Sequence, residues 1–383
     1  MNNPANFIFA TCQAGAEAAL RKEIPQNHPE LKLAFSRPGF VTFKVDAENR
    51  LPDRYNLKST LARTSGWSLG RAESESAAEI IASILECEAL SRADVIHVWE
   101  RDRKVPGAGG FEPGVSVLAN EVGAQIIAAM EASGKFTNKP MLNKVAKPDA
   151  VVFDVCLVET NQWWYGFHEA NTTAGRWPGG VPLMDTDNDP ISRAYFKLKE
   201  ALLWSGIPVS EGDVCAELGS APGGACQLLL EKRAKVIAID PAELEADVVK
   251  HPNLTHIRRR GHEVRKRDFR EVRWLFADIS MVPNYTLDTV SAIVSHDAVD
   301  IKGMALTLKL TNWDLLDSVP AWLKRVKDLG FKHVRVRQLA FNRQEICLIA
   351  AKDKFVLRSS KKKASEPKTK PQKKSRPKTD AKS

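Results

Sequence analysis

The sequence predicts an α/β protein whose C-terminal half is a doubly wound, mostly parallel sheet with an antiparallel edge hairpin, preceded by two smaller α+β modules. Three observations predict it. Beyond residue 190, strand-like and helix-like runs alternate regularly. The first of those strands runs straight into a glycine-rich turn, ELGSAPGG, and then a helix. The last two apolar runs, HVRVRQL (333–339) and EICLIAAK (345–352), lie only five residues apart, which suits a hairpin and not a crossover.

In chain order, FIFATC reads as a strand, AEAALRKEI as a helix, and LKLAF and FVTFKV as two strands around the Arg37-Pro38-Gly39 turn. These residues, 1–55, form the first module. In the second, 56–170, AAEIIASILE and GAQIIAAMEAS have helical spacing and DVIHVWE reads as a strand. AVVFDVCLVE and QWWYGFHEA then pair around Thr160-Asn161. Residues 171–190 are almost all turn formers and are expected to be a linker. The third unit, 191–355, opens with the helix ISRAYFKLKEA and continues with strands DVCAEL, KVIAID, LTHIR, VRWLFADI and MALTLKL. Residues 356–383 are expected to be a disordered tail.

Charge is unevenly placed. The 383 residues carry a net +9, but residues 359–383 hold nine lysines and one arginine against Glu366 and Asp380, a net +8. The body is thus nearly neutral, and the tail is expected to scan polyanions, nucleic acid first among them, with a solubilising tail as the plain alternative. No apolar run reaches the roughly 18 residues of a membrane helix, and the N-terminus lacks the basic segment of a secretory signal. A cytoplasmic location is expected. The six cysteines are scattered without a CxxC or a Cys/His cluster, so neither zinc nor a disulfide framework is expected. DTDNDP resembles the start of a calcium loop, but Pro190 and Phe196 stand where glycine and glutamate are required. No metal is expected, and oligomeric state cannot be read from these features.

A glycine turn after a buried strand lets backbone approach a ligand in the crevice outside the strand ends. Gly219, Ser220, Ala221, Pro222, Gly223 and Gly224 make that turn, and Asp240 ends the next strand, about twenty residues on, where a carboxylate accepts hydrogen bonds from ribose hydroxyls. NAD enzymes and S-adenosylmethionine enzymes share this spacing. GxGxxG is absent, which disfavours NAD, and no lysine stands where an ATP-binding Walker loop needs one.

ELGSAPGG, with SRAYFKLKEA about twenty residues upstream, resembles the FtsJ-like ribose 2′-O-methyltransferases over roughly residues 190–353. The N-terminal half, with ATCQAGAEAALRKE and the WWYGFHEA hairpin, resembles the ferredoxin-like and THUMP-like arrangement of the RlmM type. The resemblance implies S-adenosylmethionine as cofactor and RNA as substrate, ribosomal RNA or a pre-ribosomal particle above all. It also implies a Lys-Asp-Lys-Glu tetrad, carried here by Lys197, Asp278, Lys309 and Glu345. Asp268 stands where the family holds the adenine, and Asp278 would also border the cofactor. Ala225 replaces a bulkier residue of the family pattern, and ISMVPN departs from its Asp-Met-Ala-Pro.

An alcohol is a weak acid, so a base and a cation near the developing oxyanion both help transfer. Lys309 is expected to deprotonate or orient the hydroxyl, with burial and Lys197 disfavouring its charged form. Asp278 would hold the amine and Glu345 position the pair. Lys199 reads as a solvated neighbour. Each of the four residues alone also reads as a surface or capping charge; their joint occurrence in order argues otherwise. The Arg258–Arg270 stretch is expected to meet phosphates, and Trp163, Trp164 and Tyr165 either stack on bases or pack in the core. Competing functions are a non-catalytic RNA-binding assembly factor on the same fold and an NAD-dependent oxidoreductase.

Overall fold

The computed structural model describes residues 6–353 apart from 47, 50, 53 and 186–188. The basic tail and Asp187 of DTDNDP therefore lie outside the described residues. The N-terminal half contains β1 (Phe7–Thr11), α1 (Glu17–Asn27), β2 (Leu31–Arg37), β3 (Phe40–Val45) and β4 (Ser65–Glu73). It continues with α2 (Ala77–Leu85), β5 (Val95–Glu100), α3 (Val117–Ser133), β6 (Met141–Leu142), β7 (Val151–Glu159) and β8 (Gln162–Glu169). All eight strands belong to one sheet in the order β2-β3-β1-β4-β8-β7-β5-β6. The break expected at 55/56 is thus not a break in the sheet, because β1 pairs antiparallel with β4, Ile8 opposite Trp67.

Strand β4 is absent from the sequence-based expectation, since SGWSLGRAE carries two glycines and no alternation. Its neighbours explain those glycines. A Cβ on Gly66 would stand 2.8 Å from the Phe9 ring, and the side chain of Tyr165 lies over Gly70. Trp163, Trp164 and Tyr165 serve packing: Trp163 is buried in the core, and the Trp164 ring lies 4.8 Å from Phe35. Tyr165 lies against Phe153.

Residues 174–181 of the expected linker are not an open tether. Their turns fold into short 3-10 segments at Ala174–Arg176 and Pro178–Gly180, and Trp177 to Val181 are buried. Gly179 accepts a hydrogen bond from the Thr11 hydroxyl (3.2 Å), and Trp177 packs into the same cluster as Tyr195 and Leu339. Turn-forming residues were read as exposed because composition records backbone bending and not burial.

The C-terminal half consists of α4 (Ala194–Ser205), β9 (Val214–Leu218), α5 (Gly224–Glu231), β10 (Lys235–Ile239), α6 (Ala246–Val249) and β11 (Leu254–Ile257). It ends with β12 (Trp274–Ala277), α7 (Pro283–Val294), β13 (Gly303–Lys309), α8 (Val319–Asp328), β14 (His333–Arg337) and β15 (Glu345–Ala351). The sheet order is β11-β10-β9-β12-β13-β15-β14. Strands β9 to β13 are mutually parallel, and β15 runs antiparallel to both β13 and β14.

Strand alternation sends Cys215 and Phe276 toward α4 and α5, and Ala216, Leu218 and Leu275 toward α7 and α8. The chain leaves β9 in one direction toward β10 and β11, then returns on its other side through β12 and β13. This reversal opens a crevice at the carboxyl ends of β9 and β12, where ligands of such sheets bind.

Candidate active site

The glycine turn lies at that crevice. Gly219 has φ +79° and packs so closely on the next strand's end that a Cβ would meet the Asp278 carbonyl oxygen at 2.6 Å. Only glycine fits both constraints. Gly224 begins α5 against Ser192, whose hydroxyl would clash with any Cβ placed there. The two stretches ISRAYFKLKEA and ELGSAPGG therefore touch at Ser192 and Gly224. Asp240, just after β10, folds back over the turn: its carboxylate accepts from Ala221 N (3.2 Å) and Ala242 N (2.8 Å). Each oxygen keeps acceptor capacity for a further donor.

Four charged side chains meet beside this turn. Lys197 comes from the first turns of α4, Asp278 follows β12, and Lys309 and Glu345 are cross-strand partners on β13 and β15. Lys197 Nζ contacts Glu345 Oε1 at 2.5 Å and Asp278 Oδ2 at 3.0 Å. Lys309 Nζ contacts Asp278 Oδ1 at 2.7 Å and Glu345 Oε2 at 2.5 Å. Each ammonium thus bridges both carboxylates in a closed ring of alternating charge. Lys309 is its most open member, with 26% of its side chain exposed against 4% for Glu345.

Burial alone would push the Glu345 carboxyl up, but the Lys197 and Lys309 ammoniums outweigh it and hold the group down at about 2. Burial would likewise lower Lys309, yet Asp278 and Glu345 raise it above its ordinary value. This corrects the expectation of a lysine with a disfavoured charge. Two carboxylates contact Lys309 directly, and their attraction exceeds the effect of burial and of Lys197. Lys309 is an ammonium at neutral pH; it can orient and stabilise an oxygen but is not a ready base. Lys199, two residues on and therefore on another face of α4, reaches the backbone carbonyl of Asp185 instead.

Asp268 lies beyond β11 in the 3-10 turn Lys266–Phe269, where its carboxylate accepts from Arg265 at 3.2 Å. It borders a groove whose lining runs from Val214, the first residue of β9, to Ile257, the last of β11.

Sequence reading missed Glu217. It points to the α4 face, is 2% exposed, and leaves Oε2 without a hydrogen-bond partner. With Lys197 and Asp278 it borders an internal cavity of about 20 Å³, room for one water. Burial pushes its carboxyl well above the usual range; Asp278 adds to this and Lys197 opposes it. The signal was available, since Glu217 shares strand parity with Cys215. Among the described residues, no group of three His, Cys, Asp or Glu side chains could hold a metal ion, and no helix is long and apolar enough to cross a membrane.

Parts of the chain are similar to known proteins. Residues 190–350 match the sequence profile of the FtsJ-like methyltransferases. A protein of Hahella chejuensis named ribosomal RNA large subunit methyltransferase M is 27% identical over 269 residues, covering 65% of this chain and 67% of that protein. Its namesake in Halorhodospira halophila is 30% identical over 178 residues, covering 45% and 51%. That of Xanthomonas oryzae is 25% identical over 241 residues, covering 61% and 66%. The matches thus span between about half and two thirds of these relatives' lengths. The ring of charges, the glycine turn and the profile match coincide in one stretch, residues 190–350, which is similar to the FtsJ-like methyltransferases.

Proposed function

We propose that this protein transfers a methyl group from S-adenosylmethionine to a ribose 2′-hydroxyl of large-subunit ribosomal RNA. The closed ring of Lys197, Asp278, Lys309 and Glu345 beside the glycine turn carries this reading. The relatives' names supply the substrate class.

The crevice fits the cofactor. Asp240 offers acceptors for ribose hydroxyls, and the buried hydroxyls of Ser192 and Ser220 have no partner, leaving polar atoms for a ligand or water. When bound, S-adenosylmethionine supplies an electrophilic methyl group. The protein's own part is to orient the alcohol. Lys309, the most exposed ring member, donates a hydrogen bond to the 2′-oxygen and stabilises negative charge building there, while the proton of the hydroxyl is released to water. Asp278 and Glu345 keep its ammonium in place, and Lys197 holds the same two carboxylates from the other side. Such preorganisation costs no rearrangement during transfer.

RNA contacts extend further. Arg258, Arg259, Arg260, Arg265, Arg267 and Arg270 are exposed beyond the end of β11, and phosphate neutralisation by such residues dominates affinity. The N-terminal half, where we identify no catalytic constellation, selects the RNA. The cytoplasm is the corresponding compartment.

The test is methylation of large-subunit RNA from cells lacking the protein, with labelled S-adenosylmethionine. The modified nucleotide is then located by its resistance to alkaline cleavage. Label on a base, or none at all, overturns the reading.

A further inference from the structure

The loop between β14 and β15, residues 338–344, leads directly into Glu345. It is a buried hairpin loop, with Gln338, Ala340 and Asn342 at 0% exposure. Buried backbone groups must find partners, and here many of them come from the other half of the molecule. Gln338 N donates to Thr60 O at 2.6 Å. Arg63 Nη2 donates to Ala340 O at 3.1 Å, and the backbone of Pro106 accepts from Arg343 Nε at 2.9 Å. The Gln13 amide, in the orientation that satisfies its neighbours, donates to Asn342 O at 2.7 Å and Arg343 O at 3.0 Å.

From within the C-terminal half, Glu200 on α4 accepts from Ala340 N (2.9 Å) and Phe341 N (3.2 Å). Asn342 then links the loop to the ring. Its Oδ1 accepts from Leu339 N at 2.9 Å while its Nδ2 donates to Glu345 Oε1 at 3.2 Å. That same oxygen is the one Lys197 contacts.

We propose that Gln13 and Asn342 are positioning residues for methyl transfer: the N-terminal half holds the loop through Gln13, and Asn342 passes that placement to the Glu345 carboxylate. The N-terminal half therefore completes the catalytic centre as well as selecting RNA, an inference that rests on the methyl-transfer reading. Chemistry makes the coupling consequential. Both lysines bridge the same two carboxylates, so a displaced Glu345 loosens both cations at once, and about 1 Å of misplacement costs on the order of 100-fold in rate.

The experiment uses the full chain. Single-turnover methylation at saturating RNA and cofactor, cofactor affinity by calorimetry, and thermal stability are measured for Gln13→Ala, Asn342→Leu and the double variant. Asn342→Leu is expected to slow transfer about 10- to 100-fold, the value of a hydrogen bond to a charged group, with cofactor affinity unchanged. Gln13→Ala is expected to slow it about 2- to 10-fold. Because both act along one route, the double variant should be no slower than Asn342→Leu alone. Asn342→Ser, which keeps a polar group, carries the same test should the leucine variant not fold.

Wild-type rates in the single variants, or lowered stability with an unchanged rate per folded molecule, overturn the proposal. So do effects that multiply in the double variant. An inactive wild type instead sinks the methyl-transfer reading, so the two failures are distinguishable.

Discussion

Replacing Lys309 with alanine removes one of the two cations that bridge Asp278 and Glu345, and its cost can be worked from the ring. The Glu345 carboxyl is held at about 2 against an ordinary 4.5, although burial alone would raise it. At about 1.4 kcal/mol per pKa unit, the two ammoniums outweigh burial by roughly 3 kcal/mol. Deleting one of two comparable cations removes more than half of that surplus, because the burial penalty remains. The expected loss of stability is therefore about 2–4 kcal/mol, in line with breaking a buried ion pair from one side.

The catalytic cost is separate. Loss of the cation facing the 2′-oxygen should reduce single-turnover methylation by about 10² to 10³, the range for removing one oxyanion-stabilising donor, while cofactor binding persists. Chemical denaturation measures the first quantity, rapid-quench methyl transfer the second and calorimetry the third. A Lys309→Ala rate above about a tenth of wild type, well short of that range, refutes the assignment.

Four further outcomes are expected. Lys309 is raised above its ordinary 10.5, so its charged contribution is fully present below that value and lost only as pH rises through its higher folded value. Glu345 is depressed, so its contribution is present above 4.5 and lost as pH falls toward about 2. The single-turnover rate should thus be flat from about pH 6 to 9; a tenfold rise per pH unit would show Lys309 acting as a free-amine base. Asp240→Ala should weaken cofactor binding about 10- to 100-fold by calorimetry with the fold intact; unchanged affinity would remove Asp240 from the site. Lys199→Ala should be nearly silent in the methylation assay; a tenfold loss would place it in the site. Removing residues 359–383 should weaken RNA binding by an amount that shrinks as salt rises, since a net +8 acts through counterion release; a salt-independent loss would argue for specific contacts.

The chemistry of the C-terminal half was legible because it lies in short local signals. Glycine at 219 and 224 marks turns that any side chain would obstruct, and Asp240 ends a strand whose apolar run is self-evident. Lys197, Asp278, Lys309 and Glu345 were named through the resemblance carried by ELGSAPGG and SRAYFKLKEA, and the alternating β/α pattern explains why the elements bearing them meet. Strand β4 was not legible, because its glycines answer to aromatic rings from β1 and β8 that are distant in sequence. The turn-rich 171–190 segment looked like a tether for the same reason, its burial depending on partners elsewhere in the chain.

What the sequence by itself determined is which residue types stand at the ends of which strands and helices; the class of reaction came from its resemblance to a known family. The tertiary structure alone decided their charge states and their supports. Whether Lys309 is an amine or an ammonium depends on carboxylates 31 residues before and 36 residues after it in the chain, at contact distances of 2.7 and 2.5 Å. Electrostatic energy falls with spatial separation, not with separation along the chain. The same holds for Gln13, whose reach to Asn342 spans almost the whole described chain and leaves no trace in spacing or composition.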